Sequence, residues 1–298
     1  MRIAAATLCL WLTLAALVMQ GCTPDIGTKK TIKVEDPFAS ESESEFQGLI
    51  TTFFKLPVGE STLVSLPNGK KLLVDTGAVE DIEALEAGLS ERGITVIDYL
   101  MITNDLPEYM GGFKAIAEKM QIGTVILPKL TSASILPQLH LKADQRIALL
   151  SEGDYISLDK NVTIKVLHPS EPLFLSPQEN SLVFQLQHDR LRFLFTSSIN
   201  EKAEERLLSR HPGLLKSEVL KVTARGSNQG SSQPFLTKVD AQVAVILTGK
   251  SRQEMRTSQE EIVERLGESW SETYITSQDG TIAILSNGKD YRVLKSDK

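Results

Sequence analysis

Asp75, Asp105 and Glu108 are acidic side chains that a strand and a loop could bring to one sheet end. Three such carboxylates would suit a hard divalent cation such as Mg²⁺ or Mn²⁺, which prefers oxygen ligands. The bland alternative for Asp105, which precedes a turn, is that it caps that turn. A zinc site has less to draw on. His140, His168, His188 and His211 are isolated, with no H-x-H or H-x-x-x-H pair, and the cysteines are Cys9 and Cys22 alone. Zinc favours imidazole or thiolate at short range, so these spacings point away from it. Ser197 and Ser198 lack a nearby base that would make either a nucleophile. Arg225 brings a permanent positive charge. If it shares a cleft with Glu108 or Asp105, it could pair with either or meet an anionic ligand bidentately. The loop from Gly226 to Ser232 follows a strand but lacks the Lys-Ser/Thr ending of a nucleotide loop, and is expected to be flexible.

The elements that must position these residues alternate strands with helices. Leu49–Leu56 and Ser61–Leu66 read as strands, followed by an Asn68-Gly69 hairpin turn and a buried strand from Lys71 to Asp75. Ile82, Leu85 and Leu89 form one helix face, with Gly93 as its stop. Tyr99–Thr103 is the next strand, Phe113, Ile116 and Met120 give a short helix, and Thr124–Leu127 is extended. In the second half, Val162–Leu167, Ser181–Gln187, Leu191–Thr196, Val219–Val222 and Val243–Leu247 read as strands. Helices are expected over Asn200–Leu208 and Pro234–Val239, and after a Ser258/Glu261 capping box. Thr281–Leu285 and Tyr291–Leu294 close the chain around an Asn287-Gly288 turn. Strand-rich halves with flanking helices fit one α/β domain, a four-layer αββα sandwich.

Several segments resemble the metallo-β-lactamase superfamily, and in particular the branch attached to the bacterial competence, or DNA-uptake, channel. Gly59-Glu60-Ser61-Thr62-Leu63 is similar to that branch's G-D-A/S-x-L, and Leu72 to Gly77 to its L-L-I-D-T-G. Asn180-Ser181-Leu182-Val183, Phe193 to Thr196, and Glu218 to Val222 with Arg225-Gly226-Ser227 match further pieces in order. The resemblance covers about residues 48–294 and implies the sandwich fold. It also implies where metal ligands would stand. The T-H-x-H-x-D-H-x-G-G loop keeps Thr103, Gly111 and Gly112, but its ligand positions hold Asn104, Leu106, Glu108 and Tyr109. Where the family has T-G-D this chain has Thr196-Ser197-Ser198, and at H-H-G-S it has Ala224-Arg225-Gly226-Ser227. His168 matches a strand end that is not a principal ligand in that branch. The expectation is a degenerate site with no catalytic residue, no cofactor and no zinc. Its candidate cleft residues are Asp75, Asp105, Glu108 and Arg225.

The N-terminus reads as an export signal: Arg2, an apolar run from Ile3 to Val18, then Gly21 before Cys22. Met19-Gln20-Gly21-Cys22 resembles a bacterial lipoprotein box, which implies cleavage after residue 21 and acylation of Cys22. An ordinary secretory signal cut near the same place is the alternative. Thr23 gives no inner-membrane retention signal, so the outer membrane is favoured where there are two. Residues 22–46 read as a flexible acidic tether, with Ser40 to Glu45 alternating Ser and Glu, and residues 47–298 as the folded domain. With 41% apolar residues the chain can build a core without disulfides. Its net charge of −6 makes it a poor generic binder of nucleic acid. The function expected from these features is an exported lipoprotein that binds or scaffolds in the cell envelope, with an envelope protein or a small anionic ligand as partner. The alternatives are a hydrolase with an atypical site, acting on a phosphodiester or β-lactam-like substrate, and competence-related nucleic-acid binding.

Overall fold

The computed structural model describes Glu43, residues 45–250, Glu254 and residues 258–296. The expected signal peptide, Cys22 and most of the tether lie outside the described residues, as does the Ser258 side chain of the expected capping box. Glu43, inside the span expected to be a flexible tether, is held by Arg92 through Nε at 2.7 Å and Nη2 at 3.1 Å.

Six strands come first: β1 (Leu49–Phe53), β2 (Thr62–Ser65), β3 (Lys71–Val74), β4 (Val96–Met101), β5 (Gln121–Pro128) and β6 (Arg146–Leu150). Seven more follow: β7 (Tyr155–Asp159), β8 (Val162–His168), β9 (Val183–His188), β10 (Leu191–Phe195), β11 (Val219–Lys221), β12 (Val243–Ile246) and β13 (Glu272–Ile275). The last two, β14 (Ile282–Ser286) and β15 (Tyr291–Lys295), return to the first set and complete an eight-stranded sheet ordered β15-β14-β1-β2-β3-β4-β5-β6. The second sheet runs β13-β12-β11-β10-β9-β8-β7. In the first sheet β3 to β6 are parallel, and in the second β10 to β13 are parallel.

Period-two alternation assembles the four layers. Leu72 and Val74 of β3 point between the sheets, whereas Leu73 points out to helices. Phe193 and Phe195 of β10 point between the sheets, and Leu194 points the other way. Phe184 stacks on Phe195 in this middle layer, with ring centroids 4.6 Å apart. Outside the first sheet pack α1 (Ile82–Glu91), the short α2 (Pro107–Met110), α3 (Phe113–Lys119) and α4 (Ser132–Leu139). Leu85, Leu89, Ile116 and Ile135 supply their buried stripe. Outside the second lie α5 (Glu201–Arg210), α6 (Gln233–Val239) and α7 (Ser258–Glu268), contributing Leu207, Phe235 and Ile262. The result is the αββα sandwich expected from the sequence.

Candidate functional site

The two parallel strand sets end on the same side of the sandwich. The loops after β3, β4, β10 and β11 meet there with the connection between β1 and β2. Asp75, Thr103, Asn104, Ser197, Lys221 and Arg225 all come from these ends, the usual place for a ligand in sheets of this kind. Left-handed backbone is concentrated here: Asp75 has φ 60°, Ser197 φ 47°, Ala224 φ 45° and Arg225 φ 57°. Such conformations cost energy for residues with a Cβ, so the surrounding contacts must hold them in place.

Backbone hydrogen bonds stitch these loops together. Thr76 N donates to Tyr109 O at 2.7 Å, Gly77 N to Glu60 O at 3.0 Å, Glu60 N to Glu108 O at 2.9 Å, and Gly112 N to Gly77 O at 3.0 Å. A Cβ on Gly112 would lie 2.2 Å from Thr76 O, so this contact requires glycine. The fully buried Asp81 carboxylate fastens the segment from below, accepting from Val58 N, Gly59 N and Ala78 N at 2.7, 2.6 and 2.7 Å. Asp81 was not foreseen in the sequence; an Asp just before an amphipathic helix usually reads as a local cap.

Into this frame project two ion pairs. Lys221 ends β11 with its side chain 5% exposed and meets the Glu60 carboxylate, 2% exposed. Glu60 also accepts from Arg225 N at 3.0 Å, and Lys221 Nζ donates to Ser197 O at 3.1 Å. Burial pushes the Glu60 carboxyl above its ordinary value, against the pull of Lys221 and Arg225. The second pair lies nearer solvent: Arg225 Nη2 meets Glu108 Oε1 at 3.2 Å, while Nη1 donates to Val58 O at 2.8 Å. The pairing of Lys221 with Glu60 was missed, although a lysine within a wholly buried strand signals a buried counter-charge.

Asp75 accepts from Thr103 N and Thr103 Oγ1, both at 2.8 Å, and its enclosed carboxyl is pushed up to about 8 by burial. Thr103 Oγ1 lies 2.6 Å from Ser197 Oγ, which accepts from Asn104 Nδ2 at 2.9 Å. Asn104 Oδ1 accepts from Leu106 N at 2.8 Å, so Asn104 rather than the expected Asp105 caps this turn. Asp105 is half-buried and joins none of these bonds. The ring of Tyr109 is 1% exposed, its hydroxyl points to Ser197 O, and burial raises its pKa well above 10, which keeps it protonated. Ser198 Oγ lies 3.1 Å from Ser181 Oγ. The space left among Glu60, Asp75, Thr103, Ser197 and Lys221 is ≈ 10 Å³, scarcely room for one water.

The four histidines are dispersed. His168 donates from Nε2 to Glu179 O at 2.8 Å, and burial lowers its pKa to about 4. His188 meets Ser286, His211 meets Glu152, and His140 ends α4 with φ 50°. The Gly226–Ser232 loop, expected to be flexible, is clasped by the buried Glu204 carboxylate, which accepts from Ser231 N and from Ser232 N, the latter at 2.9 Å.

The arrangement has the architecture of known proteins. Aligned on the metallo-β-lactamase fold protein YhfI from Bacillus subtilis, the chain gives a TM-score of 0.52 at 12% identity, covering 76% of this chain and 96% of that one. CmlA, a diiron β-hydroxylase from Streptomyces venezuelae, gives 0.55 at 11% identity, covering 84% and 54%. This chain has the metallo-β-lactamase fold. Its sequence is 22% identical over 245 residues to ComE operon protein 3 of Bacillus subtilis (strain 168), covering 75% of this chain and 31% of that protein. It is 28% identical over 192 residues to competence protein ComA of Neisseria gonorrhoeae, covering 64% and 26%. The chain therefore spans less than a third of the length of these competence relatives. No protein-family model matches it.

A metallo-β-lactamase fold raises the question of a metal, and the donor set here does not suit one. Leu106 and Ala224 carry no donor atom. Asn104 is spent on Leu106 N and Ser197, and Tyr109 stays protonated. Two cationic side chains, Lys221 and Arg225, line the same cleft and would repel a metal ion. Among the described residues no group of three or more His, Cys, Asp or Glu is placed to hold one.

Proposed function

We propose that this chain is an exported lipoprotein, anchored in the cell envelope through Cys22, whose metallo-β-lactamase-like domain has lost metal-dependent hydrolysis and serves in binding or scaffolding. The observation that carries this reading is the pair of protein cations in the cleft. Lys221 and Arg225, matched by Glu60 and Glu108, supply the positive charge that a metal would otherwise bring. Polarising a scissile bond and activating water need a Lewis acid or an accessible general base. Glu60 and Glu108 are spent on ion pairs, Asp75 is sealed beneath the surface, and Asp105 stands outside this bonding network. The envelope location rests on the lipoprotein-like N-terminus and on the competence relatives. Outer-membrane placement follows from Thr23 where there are two membranes.

The deciding experiment is metal analysis of the full chain, purified without chelator, alongside assays on a generic phosphodiester and a β-lactam. The expected result is well under one equivalent of zinc, manganese or iron and no turnover. Stoichiometric metal, lost together with hydrolysis in Glu108→Ala, would instead establish an atypical hydrolase. A second reading, competence-related nucleic-acid binding, draws on the names of the two relatives, and the net charge of −6 weighs against it. DNA retention that falls steeply with salt and vanishes in Arg225→Ala would favour it.

A further inference from the structure

The sealed interior of the cleft contrasts with its mouth. Just outside Arg225 lies a cavity of ≈ 420 Å³ walled by Pro57, Val58, Arg225, Ser227, Thr248 and Lys250, a volume in the range of small-molecule sites. Among the described residues, the charged ones that line it, Arg225 and Lys250, are both cationic, although the chain as a whole is acidic. The walls are fixed. Val58 is held by Asp81, and a Cβ on Gly249 would lie 1.9 Å from Pro57 O, so residues 248–250 are pressed against the Pro57 backbone. Thr248 is buried, receives Lys250 N on its hydroxyl at 3.3 Å, and is itself held by Thr276. Lys250 is exposed and has no acidic partner among the described residues. Arg225 is oriented by Val58 O, and its Glu108 contact is one a competing anion can replace, since both side chains are about one-third exposed.

We propose that this cavity binds a small molecule through a phosphomonoester group, which displaces Glu108 from Arg225 and takes Lys250 as its second cation. A doubly charged oxyanion matches two cations that line one cavity, and the planar guanidinium offers it paired hydrogen bonds. Ser227 adds a hydroxyl on the cavity wall. Glu108 then acts as a built-in competitor that holds Arg225 ready while the site is empty. This inference rests on the reading that Arg225, rather than a metal, commands the cleft.

Calorimetric titration of the full chain with inorganic phosphate at low ionic strength tests it. Binding is expected, weakened about tenfold or more in Lys250→Ala and in Arg225→Gln, and tightened severalfold in Glu108→Gln. Lys250 is exposed, so its variant separates lost binding from lost folding. Phosphate affinity equal in Lys250→Ala and the parent, or unimproved in Glu108→Gln, overturns the proposal. A 5′-phosphorylated single-stranded oligonucleotide binding far more tightly than phosphate overturns its small-molecule part. A metal-free chain that ignores phosphate defeats this inference alone, whereas stoichiometric metal defeats the functional reading beneath it.

Discussion

Two ion pairs share one cleft, but they do different physical work. Glu60 and Lys221 are both almost wholly enclosed, whereas Glu108 and Arg225 are about one-third exposed. In the first pair each charge is costly to bury and tolerable only because of the other, so the two residues are locked to the fold. In the second, water screens the attraction and the partners are exchangeable. The inner pair fills the cleft, and the outer pair leaves a mouth that can still admit a ligand. Chemically similar groups thus become architecture in one place and a potential recognition element a few residues away.

The largest effect that would sharpen this contrast is expected from Lys221→Met. It leaves the Glu60 carboxylate buried without its counter-ion, so chemical denaturation should show a loss of about 3–5 kcal/mol. The paired variant Glu60→Gln/Lys221→Met should recover much of that. A single variant as stable as the parent would show that the inner pair is not buried in the way described. Next in size is a pH effect at Asp75. Its carboxyl titrates at about 8 in the fold and near 4 when unfolded, so between those values the folded state holds a proton that the unfolded state has released. This contribution to stability is full below about pH 4 and declines as pH rises towards 8, by at most about 1.4 kcal/mol per unit. Asp75→Asn copies the neutral acid, and its stability profile over that window should be flatter than the parent's; parallel profiles would break the assignment. The smallest effect belongs to the outer pair. Glu108→Gln should cost no more than about 1 kcal/mol, and the difference should shrink in high salt. A loss comparable to that of Lys221→Met would erase the distinction.

The parts of the fold legible in the sequence are those where burial imposes a pattern. Lys71–Val74 and Leu191–Phe195 are enclosed on both faces, and Ile82–Glu91 shows one apolar stripe, so periodicity reveals them. By contrast β6 and β7 each form one edge of a sheet, with Ile147, Leu149 and Tyr155 exposed, and no clear alternation marks them. Helix α4 carries Pro137 within it, and β13 is only four residues long; neither was foreseen. At the site, the pairing of Arg225 with Glu108 lay within the reach of sequence reasoning because family spacing placed both residues at one cleft. The roles of Glu60, Asp81 and Glu204 did not. Each contacts a segment more than twenty residues away, Glu60 reaching Arg225 N, Asp81 reaching Val58 N and Glu204 reaching Ser231 N. No local pattern reports such a contact. The kept glycines and D-T-G read as scaffold in the sequence, and they serve backbone packing, as Gly112 shows against Thr76.

The hydrogen bond from Arg225 N to Glu60 links residues 165 positions apart, each carried by a loop of a different sheet. That amide meets solvent deuterium when the contact between these two loops opens, which uncovers the buried Glu60 carboxylate. Its exchange rate therefore reports the free energy of opening this inter-sheet contact, and a slowly exchanging Arg225 amide would show that the two loops stay docked.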